Sequence, residues 1–176
     1  MRRSTGHYNE AYFQRQSRNG EFAGRVNTAT FQPHIRPQDT VIDFGCGGGY
    51  LLKNIVCSTR IGIEINTVAA ETARAHGVTV YSATDDVPKD QADVVISNHA
   101  LEHTRQPLIE LGKLYERLRP GGRIVILVPA ESILRRFRRP DLYHHLYTWS
   151  PMCLGNLLEE AGFQRVEASA YFHRAS

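Results

Sequence analysis

From Thr40 onward the sequence repeats one pattern, a short apolar run rich in β-branched residues followed by a helix-like stretch. The runs fall at residues 40–44, 60–65, 78–81, 93–97 and 123–128. Their centres, such as Val41-Ile42, Val94-Val95-Ile96 and Ile124-Val125-Ile126-Leu127-Val128, are continuous rather than alternating. Successive side chains of a strand point to opposite faces, so a continuous apolar run requires cover on both. Strands of this kind separated by helices predict βαβ units and an open, doubly wound, mostly parallel sheet. Helices are expected at 67–76, 107–118 and 150–161. The first has Gly77 placed to follow its C-terminus, the second runs to Pro120-Gly121-Gly122, and the third opens with Ser150 and Pro151. A last, loosely alternating strand is expected at 163–171.

Residues 1–37 have a different character. Tyr8, Ala11, Tyr12 and Phe13 give helical apolar spacing, which Asn19-Gly20 is expected to break. A second weak helical segment is read at 22–31, closed by Pro33 and Pro37. The chain thus divides into a helical lead-in or cap at 1–37 and a principal domain at 38–176.

The longest apolar run of a strand, 124–128, is far shorter than the roughly 20 residues that cross a bilayer. No apolar segment follows the basic residues near Met1, so no signal peptide is read. Cys46, Cys57 and Cys153 form no C-x-x-C pair, which argues for a reducing, cytoplasmic compartment over a disulfide framework. With 21 Lys+Arg against 18 Asp+Glu, the net charge of +3 falls short of a general nucleic-acid binder.

The most informative stretch is Val41-Ile42-Asp43-Phe44-Gly45-Cys46-Gly47-Gly48-Gly49-Tyr50. A strand runs into four glycines and then into an expected helix at 50–56, whose N-terminus would offer free N–H groups. Glycines at this junction permit a tight turn and leave room for a ligand beyond the carboxyl ends of the strands. The spacing is G-x-G-x-G, not the dinucleotide G-x-G-x-x-G, and no Gly-Lys-Ser/Thr follows to make a Walker loop. Glu64 ends the next strand, where a carboxylate can accept hydrogen bonds from both hydroxyls of a ribose. These residues together call for a ribose-bearing ligand with a small, non-phosphate group over the glycines.

Asp43-Phe44-Gly45-Cys46-Gly47-Gly48-Gly49 resembles the first motif of class I S-adenosylmethionine-dependent methyltransferases. Further matches follow in that family's order. They are Gly62-Ile63-Glu64-Ile65-Asn66, then the segment 92–103 with its Leu101-Glu102-His103, then 118–123, then 157–163. The resemblance implies a Rossmann-like three-layer α/β/α sandwich of strand order 3-2-1-4-5-(7)-6. The seventh strand has no counterpart here, so the last strands read as truncated. S-adenosylmethionine is the implied cofactor and S-adenosylhomocysteine the product. Asp43 and the loop residues Gly45, Cys46, Gly47 and Gly49 would face its methionine end. Glu64 would hold the ribose and Ile65 one face of the adenine, with Thr84 or Asp85 at the adenine amine. Tyr50, Asn66, Asn98 and His99 would complete the cofactor site. The bland reading of Cys46 is a small packing residue.

Methyl transfer from a sulfonium needs an acceptor placed in line, and a general base only where the acceptor must lose a proton. The candidate bases or acceptor contacts are His99 and His103, past the fourth strand, and His144 and His145, before the last helix. Tyr147 and Trp149 read as pocket or core aromatics. The expected acceptor is a small molecule, methylated at a hydroxyl. The basic cluster Arg135-Arg136-Phe137-Arg138-Arg139 could grip phosphate, but it reads better as a solvated helix face. Ser97-Asn98-His99-Ala100 also lacks the Asn/Asp-Pro-Pro-aromatic tetrad frequent in nucleic-acid methyltransferases.

Two other classes compete. One is a cofactor-binding module without catalysis. The other is a zinc hydrolase, because His99-Ala100-Leu101-Glu102-His103 matches H-x-x-E-H, in which the two histidines would share the metal and Glu102 would act as base. No third ligand is apparent in the sequence and the motif follows a buried strand, so no metal is expected.

Overall fold

The computed structural model describes residues 10–171 except 133, 135, 138, 140 and 142, with side chains from residue 20 onward. Five strands pair in parallel: β1 (Thr40–Phe44), β2 (Thr59–Ile63), β3 (Thr79–Tyr81), β4 (Ala92–Asn98) and β5 (Leu118–Leu127). Their order in the sheet is β3-β2-β1-β4-β5. Among the described residues four α-helices accompany them: α1 (Glu10–Phe31), α2 (Thr67–Ala75), α3 (Pro107–Arg117) and α4 (Pro151–Glu160).

The continuous apolar runs do what their pattern requires. Val41, Val94 and Ile96 pack into a core with Phe31, Leu52, Ile55 and Ala73 on one face of the sheet. Their neighbours Ile42 and Val95 enter a second core with Ile61, Ile63, Val87 and Leu114 on the other. A third cluster joins Leu111 of α3 to Leu158 of α4 over Leu101. The sheet is thus covered on both faces, as the Rossmann-like reading implied.

Several sequence expectations need correction. Helix α1 is continuous for 22 residues and is not broken at Asn19-Gly20. Gly20 and Gly24 lie one turn apart against Tyr50, where an added Cβ would stand 2.5 Å from the Tyr50 ring or 2.4 Å from its carbonyl oxygen. These glycines serve close approach, and their helix-breaking tendency is outweighed by packing. The helix ends where Pro33 enters a 3-10 turn, Gln32–His34. Tyr8 lies outside the described residues.

No α-helix forms at 50–56; a single 3-10 turn, Leu52–Asn54, follows the glycines there. β5 begins directly after α3, so Pro120-Gly121-Gly122 does not separate helix from strand. The ladder passes from Ala92↔Leu118 to Val94↔Arg123, and residues 119–122 bulge between, with Gly121 at φ +81°. Segment 163–171 joins no strand of the sheet. Phe163 and Val166 instead pack their side chains against the α3–α4 core, which holds the segment without ladder hydrogen bonds. The order 3-2-1-4-5 is therefore observed without a sixth or seventh strand among the described residues. Arg135 and Arg138 lie outside the described residues, and Arg136 and Arg139 are exposed outside any helix.

Candidate functional site

In a doubly wound sheet the direction of winding reverses between two central strands, here β1 and β4, and leaves a crevice beyond their carboxyl ends. One cavity of about 880 Å³ occupies that crevice. It is lined by the loop after β1, the ends of β2 and β4, the 3-10 turn Leu101–His103, α1, and residues from the segment after β5.

The loop after β1 is shaped by hydrogen bonds that a side chain would disturb. The N–H groups of Gly45 and Cys46 both donate to the Ile63 carbonyl, at 2.9 and 3.2 Å. Gly45 has φ +76°, and a Cβ there would lie 2.4 Å from Ala100 Cβ. Gly47, at φ +53°, meets nothing within 4 Å in the direction of a Cβ, so its missing side chain is space in the cavity. Gly49 does not line the cavity; it packs on Ala73 and Val78. Tyr50 lines the cavity and also fills the space between Gly48 and α1, while Lys53 ties the same region to Glu21 at 2.6 Å.

Asp43 and Glu64 both line the cavity. Glu64 accepts the Gly47 N–H at 2.9 Å and the Asn66 N–H at 2.7 Å, so its carboxylate ties the glycine loop to the start of α2. Burial pushes its pKa up, against the opposing pull of these backbone N–H groups. Asp43 is buried, and its Oδ1 has no hydrogen-bond partner. Burial, and then the nearby Glu64 charge, raise its pKa well above the usual carboxylate range. Cys46 lines the cavity, and burial pushes its thiol pKa up, which disfavours the thiolate.

The remaining expected cofactor residues separate into two groups. Ile65, Asn66, Thr84, Asn98 and His99 line the cavity. Ile65 presents an apolar side chain that is 69% exposed, and the Asn66 side chain accepts from Val68 and Ala69 N–H as the cap of α2. Buried Thr84 donates to Glu110. Asp85 does not line the cavity and pairs with Lys113 and Arg117.

Of the four histidines, His99, His103 and His145 line the cavity and His144 does not. His144 occupies a left-handed turn (φ +53°) whose N–H donates to Asp141. His99 is also left-handed (φ +55°), and its N–H donates to the Leu127 carbonyl at 2.9 Å. A non-glycine residue in this region is held there by its surroundings and marks a site worth notice. Burial lowers the pKa of His103, with the Glu102 charge opposing it. Sequence reasoning cast Glu102 only as a base in the rejected hydrolase. It is fully buried at the centre of the three cavity-facing rings. The contribution of α1 to the wall through Ala23 and Asn27 left no sequence signal at all.

An adenosyl sulfonium fits these residues on three counts. Asp43 offers an unpartnered buried oxygen, Gly47 leaves an unfilled cradle, and Ile65 supplies an apolar face beside the Glu64 carboxylate.

Residues 12–168 match a family described as a methyltransferase domain. The chain belongs to this family. The class I resemblance read from its motifs is thereby borne out. Curated relatives include ribosomal protein L11 methyltransferases. That of Ralstonia pickettii is 27% identical over 103 residues, 54% of this chain and 34% of that protein. That of Burkholderia thailandensis is 31% identical over 100 residues, covering 52% and 32%. The chain thus matches about a third of the length of these relatives. Among solved structures, a SAM-dependent methyltransferase from Thermotoga maritima superposes with a TM-score of 0.70 at 23% identity, covering 87% of this chain and 76% of that one. A phospholethanolamine N-methyltransferase 2 from Haemonchus contortus, solved with phosphomonomethylethanolamine and S-adenosylhomocysteine, gives 0.66 at 17%, covering 81% and 38%. At these identities the structural likeness establishes the fold.

Proposed function

We propose that this methyltransferase domain transfers a methyl group from S-adenosylmethionine to a hydroxyl of a small acceptor in the cytoplasm. The observation that carries the reading is one cavity lined both by Asp43, Glu64 and the glycine loop and by the imidazoles of His99, His103 and His145. Its volume of about 880 Å³ lies at the upper end of small-molecule pockets, which suits two ligands side by side. Glu64 would bind the ribose hydroxyls, Asp43 the methionine end, Ile65 an adenine face and Thr84 the adenine edge. S-adenosylmethionine supplies a methyl group on a sulfonium whose sulfur leaves neutral.

The protein's task is then to place the acceptor in line and keep water out. Helix α1 forms one wall and, packed on Tyr50, restricts access. His99, with about half of its side chain exposed to the cavity, would take the acceptor proton. His103 and His145 would orient the acceptor beside it. No helix among the described residues is long and apolar enough to cross a membrane.

Calorimetry with S-adenosylhomocysteine on the wild type and Glu64→Ala tests the cofactor half. Removing hydrogen bonds to a charged group costs about 1–3 kcal/mol, a loss of affinity of roughly fivefold to 150-fold. Equal affinity in the two proteins would refute the ribose assignment. The names of the curated relatives favour a second reading, a protein acceptor. Transfer of labelled methyl to ribosomal protein L11 and to none of a panel of small hydroxylated compounds would replace the small-acceptor reading with it.

A further inference from the structure

Among the described residues, Glu102 is the carboxylate with both oxygens buried and unpartnered. It is fully buried, and neither carboxylate oxygen has a hydrogen-bond partner. Leaving such a group unpaired in a dry interior is strongly unfavourable. Three imidazoles converge on it instead. His99 Nδ1 stands 3.5 Å from Glu102 Oε1, His103 Nε2 3.9 Å and His145 Nε2 4.0 Å. These separations are too long for hydrogen bonds. They are, however, close to those between ligands that share a metal. Zinc bonds of about 2.0–2.1 Å place tetrahedral ligand atoms roughly 3.3–3.4 Å apart. One atom each from Glu102, His103 and His145 already lies within 4.8 Å of the others.

We propose that Glu102, His103 and His145 form a binding site for one divalent cation of the zinc class, open toward the acceptor side of the cavity. Two imidazoles and one carboxylate suit Zn²⁺, Co²⁺ or Ni²⁺ over Mg²⁺ or Ca²⁺. Three protein ligands leave a fourth position for an exchangeable oxygen, the arrangement of reactive rather than structural zinc sites. The support around the ligands fits as well. His145 Nδ1 lies 3.2 Å from Glu131 Oε1, so a carboxylate orients the ring with Nε2 toward Glu102, as metal-bound histidines require. The Glu102 carbonyl accepts the N–H of Leu146 at 2.9 Å and of Tyr147 at 3.3 Å, which delivers His145 to the turn after β4. The third ligand missing from the sequence motif thus comes from more than forty residues away, and the glutamate is a ligand, not the base of a hydrolase.

The role of the cation rests on the methyl-transfer reading; its binding does not. Beside the proposed transfer site it would hold the acceptor oxygen and lower the pKa of its hydroxyl. The proton would pass to His99 while the O–C bond forms and the S–C pair leaves on sulfur.

The test is titration of the chelator-treated full chain with Co²⁺, read by visible absorption. One Co²⁺ per chain with an intense tetrahedral band is expected, undisturbed by excess Mg²⁺. His103→Ala and His145→Ala should each weaken binding at least about tenfold. Glu102→Gln could unfold a buried site, so His145→Ala, on an irregular segment, is the deciding variant. Absence of the band, or a band unchanged in His145→Ala, overturns the proposal. Calorimetry with S-adenosylhomocysteine on the same preparations separates the failures. Cofactor binding without Co²⁺ binding refutes the metal site alone, and Co²⁺ binding without cofactor binding refutes the cofactor reading alone.

Discussion

Replacing Gly24 by alanine tests whether α1 is a fixed wall of the cavity. In a helix free of neighbours, Gly→Ala stabilises by up to about 1 kcal/mol. At Gly24 the new Cβ would lie 2.4 Å from the Tyr50 carbonyl oxygen and 2.7 Å from its carbonyl carbon, both backbone atoms that cannot rotate away. Reaching ordinary contact needs about 1 Å of helix movement, and overpacking of this kind costs about 1–3 kcal/mol. Gly112 in α3 is the matched control, because its Cβ would meet nothing within 4 Å. The propensity gain is common to both substitutions, so the difference between them reports the clash. At about 2–4 °C per kcal/mol for a domain of this size, Gly24→Ala should melt about 4–8 °C below Gly112→Ala for a clash near 2 kcal/mol. Scanning calorimetry measures this, and S-adenosylhomocysteine affinity should fall only in Gly24→Ala. Equal melting temperatures for the two variants would show that α1 does not rest on Tyr50.

Asp43 predicts a pH effect. Its folded pKa is raised, so the folded state favours the protonated acid, and this contribution is fully present below the unfolded value near 4 and lost as pH rises through the folded value. Asp43→Asn should therefore be more stable than wild type at pH 8 by denaturant melts, with the advantage shrinking toward pH 4, while cofactor affinity falls; an advantage that grows with acidity would contradict the assignment. Gly62→Ala would put a Cβ 2.4 Å from Cys46 Sγ and 3.1 Å from Val78, costing about 1–3 kcal/mol. Adding Cys46→Ala removes the sulfur and should recover most of that loss in a double-mutant cycle, and strict additivity would place the clash elsewhere.

Much of the molecule was legible because the deciding interactions are local or periodic. Val94-Val95-Ile96 can serve only a strand covered on two faces, and Ser150 accepts the Cys153 N–H at the start of α4 as a cap does. Gly20 misled because its local preference and its packing role point in opposite directions. Only the Tyr50 ring, thirty residues later, decides between a break and a close approach. The segment 163–171 has strand-like alternation, but pairing depends on an available sheet edge in register. Its Phe163 and Val166 side chains pack on the α3–α4 core instead.

What the sequence determined by itself is the frame, five parallel strands and a glycine turn followed by an acid, since backbone sterics and hydrophobic periodicity act over a few residues. What the tertiary structure decided is the company each charged group keeps. Asp85 turned out to serve Lys113 and Arg117, and Glu64 to tie the glycine loop to the start of α2. His145 came to stand 4.0 Å from a glutamate forty-three positions earlier. Chain spacing carries no information about such meetings, because they depend on how two loops at the end of a sheet close on each other.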